Sequence, residues 1–169
     1  MAIKLLKQIE LEKRTATPEE QIILARYVGW GGLANAFSST ASGWENEYQE
    51  LKSLLTDVEY KAAMNSTITA YYTEPDLIRH IYRALERFGF EGGPDRKILD
   101  PGMGTGNFYS VLPEQFQGSK LFGVELDSIT GRIAKQLYPD ADISIMGYEA
   151  TKFEDNSFDV ILGNIPFNS

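Results

Sequence analysis

Cysteine is absent from the sequence and histidine occurs once, as His80. The absence of cysteine excludes disulfides and thiolate metal sites, and a single histidine argues against a zinc site or a Ser-His-Asp triad. Long apolar runs are missing too. No stretch of about 18 apolar residues occurs, and the opening Met1-Ala2-Ile3-Lys4-Leu5-Leu6-Lys7 turns polar too soon for a signal peptide. Both features point to a cytoplasmic protein with no membrane partner. Positive charge is also scarce: 16 lysines and arginines face 24 acids, giving a net charge of -8. Free-standing binders of phosphate backbones concentrate basic residues, so a nucleic-acid role would need basic surface from elsewhere. What remains, 43% hydrophobic and 24% charged residues in a chain of 169, fits one ordinary globular domain.

The first seventy residues read as helical. Thr17-Pro18-Glu19-Glu20 has a threonine N-cap, proline at the first helical position and a capping box, and predicts a helix to about Val28. Gly29-Trp30-Gly31-Gly32 stops it, with tight turns set against one large buried ring. After a loop at 38–43, Glu45 to Leu55 reads as a helix, and the capping box Thr56-Asp57-Val58-Glu59 opens another to about Met64. From Pro75 the residues Leu77, Ile78, Ile81, Tyr82, Leu85 and Phe88 mark one apolar helix face, leaving His80 off the stripe and solvated.

Beyond the loop at 88–94 the texture changes. Short apolar runs at 97–100, 121–125, 143–145 and 158–162 read as strands, with Ile129, Arg132, Ile133 and Leu137 on a helix between the second and third. Strands alternating with helices imply an α/β fold with about four parallel strands and right-handed crossovers, a partial Rossmann-like sheet.

Between the first strand and the next helix lies Asp100-Pro101-Gly102-Met103-Gly104-Thr105-Gly106-Asn107-Phe108. Glycines there let the backbone turn sharply and let a ligand approach closely. Glu125 closes the following strand, where an acid can accept hydrogen bonds from both ribose hydroxyls of an adenosine ligand. Dinucleotide enzymes space these glycines as G-x-G-x-x-G. Here the spacing is Gly102-x-Gly104-x-Gly106 with an acid before it, and a carboxylate at Asp100 would repel a pyrophosphate. It suits an ammonium, and S-adenosylmethionine joins an adenosine to one.

Asn164-Ile165-Pro166-Phe167 follows the fourth run, on the same carboxyl edge of the sheet. The Asn164 side-chain carbonyl and the Ile165 backbone carbonyl, held outward by Pro166, offer two acceptors to one planar amino group. Phe167 could stack on the ring carrying that group, an interaction worth about 1–3 kcal/mol per base.

With these residues in hand, the chain resembles the amino-group DNA methyltransferases that modify adenine at N6. Tyr71, Tyr72 and Thr73 look like the segment crossing the cofactor's methionine end. Asp100 to Phe108 matches the D-P-x-x-G-x-G-x-F loop, and Glu125, with Leu126 beside it, is similar to the ribose-binding acid. Asn164 to Phe167 is a variant of the N-P-P-Y/F catalytic motif with Ile165 in place of the first proline. Glu149 best matches the acid that meets the cofactor's adenine, with Asp155 as competitor. Residues 27–33 and 66–70 resemble more narrowly the methylase modules of large helicase-methylase proteins of phages and conjugative elements. The resemblance implies S-adenosylmethionine as cofactor, no metal, and DNA as a partner engaged through a region outside this chain. It also implies a helical segment at 1–70 and the N-terminal half of a methyltransferase domain at 71–169, cut after the catalytic motif. The fourth strand then presents an unpaired edge open to self-association, and the chain alone methylates DNA poorly. Transfer to a protein glutamine amide or an RNA amino group, and a cofactor-binding module without activity, remain open; the glycine spacing disfavours an NAD-dependent oxidoreductase.

Overall fold

A computed structural model describes residues 1–68 and 72–165. At its centre is a four-stranded, all-parallel sheet in the order β3-β2-β1-β4, with β1 at Lys97–Asp100, β2 at Lys120–Glu125, β3 at Asp142–Ile145 and β4 at Val160–Ile161. All four strands coincide with the expected apolar runs to within one residue at their starts, apart from β4, which is confined to the middle of its run. The central strand β1 is covered on both faces and shows continuous burial at Ile98, Leu99 and Asp100, whereas the edge strand β4 buries Val160 and leaves Ile161 exposed.

Before the sheet come α1 (Ala2–Leu11), α2 (Pro18–Leu24), α3 (Glu45–Leu54), α4 (Asp57–Ser66) and α5 (Pro75–Arg87). Both capping boxes form as expected, at Thr17 with Glu20 and at Thr56 with Glu59. Two short helices interleave with the strands, α6 (Asn107–Ser110) and α7 (Ser128–Leu137). Among the described residues, no helix is long and apolar enough to cross a membrane.

Two hydrophobic clusters meet at α7. Its residues Ile129 and Ile133 pack with Leu6, Ile9, Leu24, Trp30, Phe37 and Tyr60 of the N-terminal helical part. Ala134 faces the other cluster, which holds Ile78 and Tyr82 of α5, Ile98, Phe108, Phe116 and Ile143. A buried ionic knot supports the first cluster: Glu59 of α4 accepts from Lys7 of α1 at 2.9 Å and from Arg132 of α7. Burial alone would push the Glu59 carboxyl up, but the bonds from Lys7, the Thr56 N–H and Arg132 hold it down to about 2.

Two expectations are corrected and one helix is added. The helix from Pro18 ends at Leu24, not near Val28. Tyr27 has left the helix and its hydroxyl lies 3.2 Å from Thr130 Oγ1, so a tertiary contact overrides helical continuation. The apolar face of α5 is narrower than its periodicity implied, because Leu77 and Phe88 are exposed and only Ile78 and Tyr82 are fully buried. Helix α1 was not anticipated, although Leu6 and Ile9, the two residues it buries completely, are three apart as one helix face requires.

Candidate cofactor-binding and catalytic site

The glycine loop leaves the carboxyl end of β1 and is fixed by backbone bonds. Asp100, 1% exposed, accepts the Gly102 N–H at 3.2 Å through Oδ1. The Met103 N–H donates to Val124 O at 3.0 Å, lashing the loop to β2, and the Gly106 N–H closes a turn on Met103 O at 2.8 Å. Gly106 adopts φ +87° and packs flat on Tyr138, whose hydroxyl donates to Gly106 O at 2.9 Å. A Cβ there would lie 2.3 Å from the Tyr138 ring, so both conformation and space demand glycine. A Cβ at Gly102, by contrast, would project into open space, so its absence keeps the floor of the site clear.

Glu125, at the end of β2, holds this loop from the other side. Its Oε2 accepts the Gly104 N–H at 2.9 Å and its Oε1 accepts the Asp127 N–H at 2.8 Å. Burial pushes the Glu125 carboxyl up, against the opposing pull of the bond from Asp127. Burial likewise drives Asp100 up to about 7; the Gly102 bond opposes this and the charge of Glu125 adds to it. Among the described residues no lysine or arginine forms an ion pair with either acid. Two desolvated carboxyls lacking a cation are a donor-hungry pair, suited to a ligand that carries positive charge and hydroxyls.

Both acids open onto one cavity of about 740 Å³, within the usual range for small-molecule sites. The glycine loop supplies one side, through Pro101, Gly102, Met103, Gly104 and Thr105, followed by Asn107 and Phe108. Glu125 and Leu126 lie beside them, Tyr72 and Thr73 enter from the start of α5, and Glu149 stands exposed at the rim. Asn164 and Ile165 reach the same cavity from the end of β4. Gly106 is the described candidate that does not line it, since it faces Tyr138. Asp155 lies away from the cavity in an exposed turn. Tyr71, Pro166 and Phe167 lie outside the described residues.

One wall was not foreseen. Val28 to Gly32 and Ser66, from the N-terminal helical part, line the cavity together with Asp127 and Thr130. The three glycines around Trp30 were a signal of tight turns about a buried ring, and Trp30 is indeed 3% exposed. That the turn also borders a ligand site is a property of long-range packing onto α7.

Residues 99–165 match the family model of a methyltransferase domain. Over 98% of its length the chain is 27% identical to the Defense against restriction protein B of Escherichia phage P1, of which it covers 6%. It is 32% identical over 46% of its length to the Modification methylase CviBIII of Paramecium bursaria Chlorella virus NC1A, of which it covers 21%. The chain thus spans a small part of either relative. The solved methyltransferase subunit of a type I restriction-modification system from Streptococcus thermophilus superposes with a TM-score of 0.47 and 18% identity, over 77% of this chain and 34% of that one.

The match to a methyltransferase domain over residues 99–165 and the cavity support S-adenosylmethionine as the cofactor. The residues present fit that molecule. Asp100, buried, and Glu125, half-buried, have no cationic partner among the described residues and suit its ammonium and ribose hydroxyls, and the side-chain-free floor at Gly102 admits close backbone approach.

Proposed function

We propose that this chain carries the cofactor site and the start of the catalytic motif of a DNA methyltransferase that modifies the N6 amino group of adenine. One observation carries the reading: Asn164 and Ile165 border the same cavity as Asp100 and Glu125. Asp100 holds the cofactor's methionine ammonium, the backbone from Gly102 to Gly106 passes beneath it, and Glu125 accepts from the ribose hydroxyls. Tyr71, Tyr72 and Thr73 cross its methionine end, and Glu149 meets its adenine amino group. The bound cofactor supplies an electrophilic methyl on sulfur.

The chain's own residues prepare the acceptor. The Asn164 side-chain carbonyl and the Ile165 backbone carbonyl accept both N–H bonds of the amino group, turning its lone pair toward the methyl. On taking the methyl group that the cofactor would supply, the nitrogen would shed one proton to solvent. Phe167 stacks on the base, which is flipped out of the duplex to reach the site. The names of the two relatives, one a modification methylase and the other a protein of defence against restriction, favour DNA over a glutamine amide as acceptor.

With a net charge of -8 the chain has little electrostatic hold on phosphates, so DNA is engaged through basic surface of the whole protein. Self-association along the outer edge of β4 belongs to the same reading, and sedimentation that does not change with concentration counts against it. The decisive assay incubates the whole protein with labelled S-adenosylmethionine and DNA, then quantifies N6-methyladenine by mass spectrometry. Asn164→Ala is expected to abolish methylation while leaving cofactor affinity within about twofold. Undiminished methylation by that variant refutes the role given to Asn164, and label appearing in protein instead of DNA refutes the acceptor.

A further inference from the structure

The turn at Gly29–Gly32 stands 97 residues before Asp127 in sequence, measured from Trp30, yet the two are joined by a buried bond. The Trp30 indole N–H donates to Asp127 Oδ2 at 3.0 Å. The same oxygen accepts from the Thr130 N–H at 2.8 Å and the Thr130 hydroxyl at 2.6 Å. Asp127 is 1% exposed, and its other oxygen, Oδ1, is buried with no hydrogen-bond partner in the described residues. All compensation for this buried acid therefore converges on Oδ2, and Trp30 is the donor that comes from outside α7.

The chain of bonds continues to the cavity. The Asp127 N–H donates to Glu125 Oε1, and Glu125 Oε2 accepts the Gly104 N–H of the glycine loop. A single path thus runs from the N-terminal helical part, through Asp127 and Glu125, to the loop. Trp30 is itself clamped edge-on between Tyr27 and Phe37, with ring centroids 5.7 and 5.3 Å away. Such a ring has little freedom, so its N–H is a fixed reference point.

We infer that Trp30 is a positioning residue for the cofactor: through Asp127 it sets the orientation of Glu125, and the Gly29–Gly32 turn it anchors is a wall of the cofactor site. The inference rests on the reading of this cavity as the S-adenosylmethionine site. It assigns a binding role to a segment that packing alone would explain as core, and the two explanations differ in what a mild substitution does.

Calorimetric titration of the full chain with S-adenosylmethionine and with S-adenosylhomocysteine provides the test. Trp30→Phe keeps an aromatic ring in the clamp and deletes the N–H. It is expected to weaken both ligands by about tenfold, the scale of one lost bond to a charged group. In a Glu125→Gln background the same substitution is expected to cost less than about twofold, because the path is already broken at Glu125. Equal losses in the two backgrounds, or no loss in the wild-type background, overturn the inference. If Trp30→Phe does not fold, Tyr27→Phe removes only the hydroxyl bonded to Thr130; it is expected to show a smaller loss with the same dependence on Glu125, and independence from Glu125 overturns the inference there too. Failure of the unaltered protein to bind either ligand overturns the cofactor reading itself, an outcome distinct from binding that the Trp30 variant leaves unchanged.

Discussion

Lowering the pH from 7.5 to 5.5 would protonate Asp100 while leaving an ordinary aspartate ionised. Burial holds this carboxyl at about 7 in place of 3.8. At pH 7.5 about three quarters of the molecules carry the charge and at pH 5.5 about 3% do, a ratio of about 25, or about 2 kcal/mol. If the carboxylate is what binds the cofactor's ammonium, the affinity for S-adenosylmethionine falls by about that factor. Calorimetry at half-unit pH steps, in buffers of different ionisation enthalpy, would read both the affinity and the proton released on binding. Asp100→Asn is expected to bind weakly at every pH, with a flat profile over this range. Without ligand the sign is opposite. A carboxyl raised in the folded state contributes stability that is complete below its unfolded value near pH 4 and is lost as pH rises through about 7. Wild-type affinity that stays constant down to pH 5.5 would refute the assignment of Asp100 as the ammonium's partner.

Three further outcomes follow from the packing. Gly106→Ala combines a positive φ with a Cβ 2.3 Å from the Tyr138 ring, and a loss of about 1–3 kcal/mol is expected in chemical denaturation. Gly163→Ala would place a methyl 2.6 Å from the buried Asp100 Oδ1; a drop in cofactor affinity together with a lower melting temperature is expected from calorimetry and thermal scans. Glu59→Ala takes the shared partner from Lys7 and Arg132, both partly exposed and Arg132 still bonded to Glu10, and a destabilisation of about 1–3 kcal/mol is expected. Because Glu59 is held down to about 2, its contribution is present above about pH 4.5 and is lost as pH falls toward 2, which acid titration of the unaltered protein should show.

The sheet was legible because each parallel strand carries a short apolar core, such as Ile98-Leu99 or Val160-Ile161, set between polar stretches. The glycine loop and Glu125 were legible for a different reason: a tight turn restricts residue type at each position. What Glu125 does inside the protein was not. Its two bonds to the backbone of Gly104 and Asp127 join loops 21 and two residues away, and no local pattern records them. Helix α2 was read too long because its preference for continuation lost to Tyr27's contact across 103 residues. The placement of Asn164 at the cavity followed from topology, since every parallel strand delivers its successor loop to the same edge. The wall at Val28–Gly32 was invisible for the converse reason, as no rule of chain order brings an N-terminal turn to that edge.

The two-sided burial of α7 limits how the molecule can be divided. Ile129 and Ile133 are fully covered, and their cover is the N-terminal helical part. A protein begun at the sheet would bare both side chains, at about 1.5–3 kcal/mol each, on the helix that Asp127 caps. The helical preface is therefore the other half of α7's core, and shortening the chain from that end would expose a sticky flank directly behind the cofactor cavity.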